Sequence, residues 1–223
     1  MKQLVLDIAP PAAPTLDNFV PGRNAELVAA LCALAAGAGG ERFIYLWGAD
    51  GSGRSHLLRA VVDAARRNGR RAEWFDARTQ VIDVADDALC AADDVHLLGT
   101  DAQIALFNLH NRIRGGKGAL LVSGVAAPAQ LRLRADLVTR LAAGLVYQLH
   151  GLGDEEKSAA LRRHAEARGL RLSQEVTAYL LRHARRDMPS LLALLDALDR
   201  YSLETRRAIT VPLLRELLDA GEH

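Results

Sequence analysis

The segment Gly48-Ala-Asp-Gly-Ser-Gly-Arg-Ser55 is the first in the chain whose residue types and spacing imply chemistry. It lies between an apolar run, Phe43-Ile-Tyr-Leu-Trp47, and the apolar-periodic segment His56-Leu-Leu-Arg-Ala-Val-Val62. Strand, glycine-rich turn and helix in that order are the context a phosphate-binding P-loop requires. Gly48, Gly51 and Gly53 let the backbone curl so that successive N–H groups face one hollow. A helix N-terminus at that hollow adds partial positive charge, which favours a phosphate chain. Ser52 and His56 belong to the same turn, and the Ser55 hydroxyl stands where such loops hold Mg²⁺. Arg54 replaces the usual lysine: the charge is kept, but the wider, forked guanidinium alters the geometry that hydrolysis needs.

Asp93-Asp94 follows the apolar stretch Ala88-Leu-Cys-Ala-Ala92. Beside a P-loop, Asp93 reads as the Walker-B carboxylate holding Mg²⁺ through water, and Asp94 as a group that could orient an attacking water. Taken alone, without the P-loop, the pair reads as two acidic residues at a strand end that cap the next helix or face solvent.

The elements that must position these groups alternate. Strands are expected at 43–47, 72–76, 88–92, 118–123 and 145–149, and helices after Asn24, over 55–67, from a Thr100–Gln103 capping box, and over 128–143. Strands that are apolar without a polar face describe a parallel sheet covered on both sides. From Gly151 the period changes to helical stretches at 154–168, 173–186 and 190–206, with a short last helix after Pro212. The expected architecture is α/β: a five-stranded parallel sheet flanked by helices over 15–150, a small all-helical domain over 151–223, and a tail over 1–14.

The chain has 223 residues and a formal net charge of +1. Strong unaided DNA binding is disfavoured, because it rests on neutralising many phosphates. No apolar run is long enough to cross a membrane, and the first residues do not form a signal peptide. Cys32 and Cys90 read as reduced core residues of a cytoplasmic protein, and the histidines lack metal-ligand spacing.

The order of parts resembles a known family. Phe19-Val-Pro-Gly22, the P-loop, Asp93-Asp94-Val, Leu120-Leu-Val-Ser123, Asp136-Leu-Val-Thr-Arg-Leu141 and a helical lid are similar to the AAA+ module of the bacterial replication initiator DnaA. The helix-turn-helix domain with which that initiator reads DNA is not found after the lid. The chain therefore resembles the regulatory inactivators of DnaA within this family. Arg at the Walker lysine position is similar to members of that group. The tip Gln3-Leu-Val-Leu-Asp-Ile8 resembles the peptide by which such proteins grip the replicative sliding clamp.

The resemblance implies that Phe19 and Val20 help hold adenine, and that Gly48, Gly53, Arg54 and Ser55 hold the phosphates of ADP or ATP with Mg²⁺. It also implies that Arg140 is an arginine finger, although by spacing alone Arg140 is a solvated helix residue. Several departures weaken catalysis in this chain itself: Arg54, Val125 where initiators carry a polar sensor, and Met188-Pro189-Ser190 where the lid's sensor arginine is expected. Arg185 and Arg186 are the nearby cations. The implied function is negative regulation of replication initiation. The chain, held on the DNA-loaded clamp (the beta subunit of DNA polymerase III) by Gln3, Leu4, Leu6 and Ile8, would stimulate hydrolysis of DnaA-bound ATP with Arg140 in trans. Weak intrinsic ATPase, a nucleoid location, indirect contact with DNA and a possible homo-oligomer accompany that reading. Each of Leu4, Leu6 and Ile8 would contribute roughly 1.5–3 kcal/mol in an apolar groove. Ordering the tail costs several of those, so a single tail is a weak tether, at best about micromolar. An autonomous ATPase of the helicase-loader or transposition-accessory type is the alternative, and it would want a full Walker lysine and sensor arginine.

Overall fold

The computed structural model describes residues 13–76, 84–185 and 187–221. The expected clamp peptide, Gln3, Leu4, Leu6 and Ile8, and also Arg186, lie outside the described residues. The chain divides into two compact units, one over Pro14–Gly151 and one built from Leu152 onward.

In the first unit, helix α1 (Ala25–Ala36) precedes β1 (Phe43–Trp47), α2 (Arg54–Arg67), β2 (Ala72–Asp76) and β3 (Leu89–Asp93). Then come α3 (Thr100–Gly115), β4 (Ala119–Gly124), α4 (Ala135–Leu141) and β5 (Leu145–Gln148). The strands form one parallel sheet in the order β2-β3-β4-β1-β5, with Tyr45 opposite Val122 and Ala91 opposite Leu121. Side chains alternate across it, as the strand period requires. Ile44, Leu46, Leu89, Ala91 and Leu121 meet α1 and α2 on one face. Tyr45, Cys90, Ala92, Leu120 and Val122 meet α3 and α4 on the other. Burial on both faces explains why β3 and β4 read as unbroken apolar runs. The edge strand β5 is the exception to the expected double cover, with Leu145 and Val146 both exposed.

The expected helix over 128–143 is broken. A 3-10 turn at Pro128–Gln130 is separated from α4 by Leu131–Arg134, where Leu131 and Leu133 turn toward the core. The capping box at Thr100 does not form either, because the helix starts one residue earlier with Gly99 as its N-cap. Gln103 instead spends its amide on tertiary contacts: Nε2 donates to the Leu98 carbonyl (2.9 Å) and Oε1 accepts from the Arg134 amide (2.9 Å). Asn24 likewise makes no side-chain cap. It is buried, its Nδ2 donates to the Pro21 and His150 carbonyls, and its Oδ1 accepts from the His150 amide. This ties the start of α1 to the chain leaving β5. Cys90 is buried as expected, whereas Cys32 is exposed on α1.

The second unit contains α5 (Asp154–Glu166), α6 (Gln174–His183), α7 (Met188–Thr205) and α8 (Val211–Gly221). Leu161 and Ala165 of α5 pack on Leu181, Leu191 and Leu195. Val176, Leu180, Leu194, Leu198, Leu213, Leu214 and Leu217 form the neighbouring cluster. Asp196 of α7 accepts from Arg168 (2.7 Å) and lies 2.9 Å from His164 Nε2, so Arg168 is not an unpaired surface cation.

Candidate functional site

The carboxyl ends of β1, β3 and β4 lie side by side and release Gly48, Asp93-Asp94 and Ser123-Gly124. The helix after β1 covers one face of the sheet, and the helix joining β4 to β5 covers the other. Crevices at such switch points are where open α/β sheets bind ligands.

The loop from Gly48 to Gly53 is built on glycine where nothing else fits. A Cβ on Gly48 would stand 2.5 Å from the Leu149 carbonyl oxygen and 2.9 Å from Ser52 Oγ. Gly53 caps α2 at φ 104°, and a Cβ there would stand 3.0 Å from the Phe19 ring edge. Phe19 therefore lies against the loop, its ring centroid 5.6 Å from that of His56. His56 Nε2 is 3.0 Å from the Thr15 carbonyl; burial lowers its pKa, partly opposed by that contact. Val20 is half-buried, Gly51 is exposed at φ 75°, and Ser55 is exposed in the first turn of α2.

Arg54 is the centre of the arrangement. Its side chain is 7% exposed. Nη1 donates to the Gly48 carbonyl, and Nη2 donates to Asp94 Oδ1 (2.8 Å) and Asp50 Oδ1 (3.1 Å). Burial opposes its charge, but hydrogen bonds and attraction from Asp94 and Asp50 outweigh this and raise its pKa above the ordinary arginine value. Asp94 itself stands at φ 51°, a left-handed conformation uncommon for a residue with a side chain.

Ser123 holds that corner, a role that its place at the end of an apolar strand does not by itself mark. Its hydroxyl donates to Asp93 Oδ1 (2.5 Å) and accepts from the Asp94 amide (2.9 Å), and both Ser123 and Asp93 are buried. The signal would have been an apolar strand ending in serine beside a strand ending in aspartates. That adjacency depends on β3 and β4 being sheet neighbours.

Two polar groups in the loop lack partners: Arg54 Nε and Ser52 Oγ are both buried without a hydrogen bond. Such orphaned groups cost about 1–3 kcal/mol each. Phosphate oxygens would satisfy both, so the loop fits an anion. The residues do not fit the Mg²⁺ expected beside it. Asp94 Oδ1 is taken by Arg54 and Asp93 Oδ1 by Ser123, which leaves one oxygen of each carboxylate and the exposed Ser55 hydroxyl, with a guanidinium already standing at the carboxylate an ion would use. Asp94 Oδ1 also already accepts from the Arg54 guanidinium, which works against Asp94 as the group that orients an attacking water.

Arg140 belongs to a different part of the unit. It is partly exposed in the last turn of α4, with its guanidinium 5.6 Å from the centroid of Phe107 on α3. No carboxylate pairs with it among the described residues. Val125 is exposed just beyond β4. In the helical unit, Pro189 occupies the first turn of α7, capped by Asp187, whose Oδ1 accepts from the Ser190 amide (2.9 Å). Arg185 is exposed, 3.6 Å from Asp187.

The family model described as "Hda, lid domain" matches residues 154–218. Domain III of the replication initiation protein DnaA from Thermotoga maritima is similar over 95% of this chain and 98% of its own, at 22% identity and TM-score 0.73. AMPPCP-bound DnaA from Aquifex aeolicus is similar over 87% of this chain and 70% of its own, at 21% identity and TM-score 0.66. A mutant of RuvB from Thermotoga maritima is similar over 92% of this chain and 72% of its own, at 14% identity and TM-score 0.66. At these identities the likeness to solved structures is one of fold, and the lid match supplies the narrower relationship. Over residues 154–218 the chain is thus similar to the Hda lid domain, and its fold as a whole is similar to that of DnaA domain III.

Proposed function

We propose that the chain is a nucleotide-bound negative regulator of replication initiation that lends Arg140 to ATP held by DnaA. The observation that carries this reading is the state of that side chain: a guanidinium on Phe107, partly exposed, with no carboxylate partner among the described residues. A fixed cation of this kind can neutralise charge developing on a phosphoryl group in another protein, and such fingers are worth about 10³–10⁵ in rate. The chain's own pocket has the opposite character, since the cation in the Walker position is paired with Asp94. That disfavours the autonomous ATPase and supports a resident nucleotide, ADP or ATP, with Phe19 and Val20 on the base side and the loop on the phosphates.

In this reading residues 3–8 tether the chain to the sliding clamp on DNA, and the module over 15–150 faces DnaA. The test is turnover of DnaA-bound ATP with clamp-loaded DNA, comparing the wild type, Arg140→Ala and a form lacking residues 1–8. Clamp-dependent stimulation is expected in the wild type and should be lost in both variants. Undiminished stimulation by Arg140→Ala would remove the proposed mechanism.

A further inference from the structure

Resting on the nucleotide-site reading above, we propose that this pocket takes its nucleoside diphosphate without a divalent cation, with Arg54 as the counter-charge in the metal's place. Mg²⁺ in nucleotide sites is held through one or two carboxylates together with phosphate oxygens and water. Both acidic residues here already have donors: Asp94 Oδ1 takes Arg54 Nη2 at 2.8 Å, and Asp93 Oδ1 takes the Ser123 hydroxyl at 2.5 Å. Asp93 is 3% exposed, which leaves little room for a hydrated ion at its carboxylate. A cation approaching Asp94 would also meet the guanidinium already bound there.

The same arginine keeps capacity for the ligand. A guanidinium has five N–H donors in a planar fork. In Arg54 the Nη atoms reach Gly48, Asp50 and Asp94, while Nε is buried without an acceptor, as is Ser52 Oγ just before it in the loop. Orphaned groups beside the loop amides, at the start of α2, suit phosphate oxygens directly. Lysine would do this less well, because its three donors radiate from one nitrogen, whereas the guanidinium spreads its donors over three nitrogens facing different acceptors.

The test is calorimetric titration of ADP into the full chain, once in excess Mg²⁺ and once in excess EDTA. The wild type is expected to bind with dissociation constants that agree within about fivefold, under 1 kcal/mol, and a larger loss in EDTA overturns the proposal. Arg54→Lys is expected to become metal-dependent, weakening by at least about tenfold in EDTA, because Asp94 is then open to the ion. An Arg54→Lys protein as indifferent to EDTA as the wild type also overturns it. Ser55→Ala, an exposed change that spares the core, and the near-isosteric Asp94→Asn should shift both conditions by the same factor. A loss confined to the Mg²⁺ titration in either variant counts against the proposal. Absence of ADP binding in both conditions is a distinguishable result: it removes the nucleotide-site reading, and this inference with it.

Discussion

Arg54 and Asp94 meet at 2.8 Å across the mouth of the P-loop, joining the start of α2 to the end of β3. The guanidinium is buried, whereas the carboxylate side chain is 27% exposed. Removing one partner of a fully buried pair costs about 3–5 kcal/mol, and solvent at Asp94 reduces this, so Asp94→Ala should destabilise the fold by about 1–3 kcal/mol. Urea denaturation of Asp94→Ala, Arg54→Met and the double variant gives the coupling. A coupling energy near zero would show that the pair is incidental to folding.

His110 should make the first unit sensitive to mild acid. It is 3% exposed, its ring centroid lies 4.4 Å from that of Phe43, and its Nδ1 has no partner. Burial, then the charges of Arg140 and Arg114, lower its pKa to about 4, with Glu41 opposing. The unfolded chain therefore binds a proton near pH 6.5 that the folded chain refuses. Stability is complete above that pH and falls as the pH drops toward about 4, by on the order of 3 kcal/mol. His110→Leu should flatten this part of the stability-versus-pH curve, and an unchanged acid slope in the variant assigns the effect elsewhere.

Asn24 should behave as a tertiary clasp and not as a helix cap. A lost cap costs about 1 kcal/mol, whereas Asn24→Ala strands both the amide and the carbonyl of His150 and should cost about 2–4 kcal/mol. Asn24→Asp should fare little better, since a carboxylate cannot donate to the Pro21 and His150 carbonyls. A loss at the level of a simple cap, seen in chemical denaturation, would contradict this assignment.

Asp187 caps α7 and gives the helical unit its own pH signature. Burial raises its pKa, but bonds from Ser190 and the charge of Arg185 outweigh that, and the net value is lowered. Its stabilisation is therefore present above the unfolded carboxylate value near pH 4 and is lost as pH falls through the lower folded value. Asp187→Ala should cost about 1 kcal/mol at neutral pH, and its difference from the wild type should shrink in strong acid. A constant difference down to low pH would mean that the carboxylate's charge is not involved.

The residues by themselves determined the succession of strands and helices, the P-loop and the change to an all-helical period after Gly151. These are local signals: apolar runs such as Phe43–Trp47, glycines flanking Arg54 and helix stops such as Gly169 act over a few neighbouring residues. Helix entries were less legible. Gln103 and Asn24 have the types that cap helices, yet both side chains are taken by partners far along the chain, Arg134 and His150. Only the tertiary structure decided what the site's charges do. Sheet order sets Ser123 beside Asp93, and the fold of the loop brings Arg54 onto Asp94, 40 residues away. An arginine and an aspartate at those positions are compatible with holding phosphate and metal or with holding each other, and the distance between them, which no local pattern encodes, selects between the two.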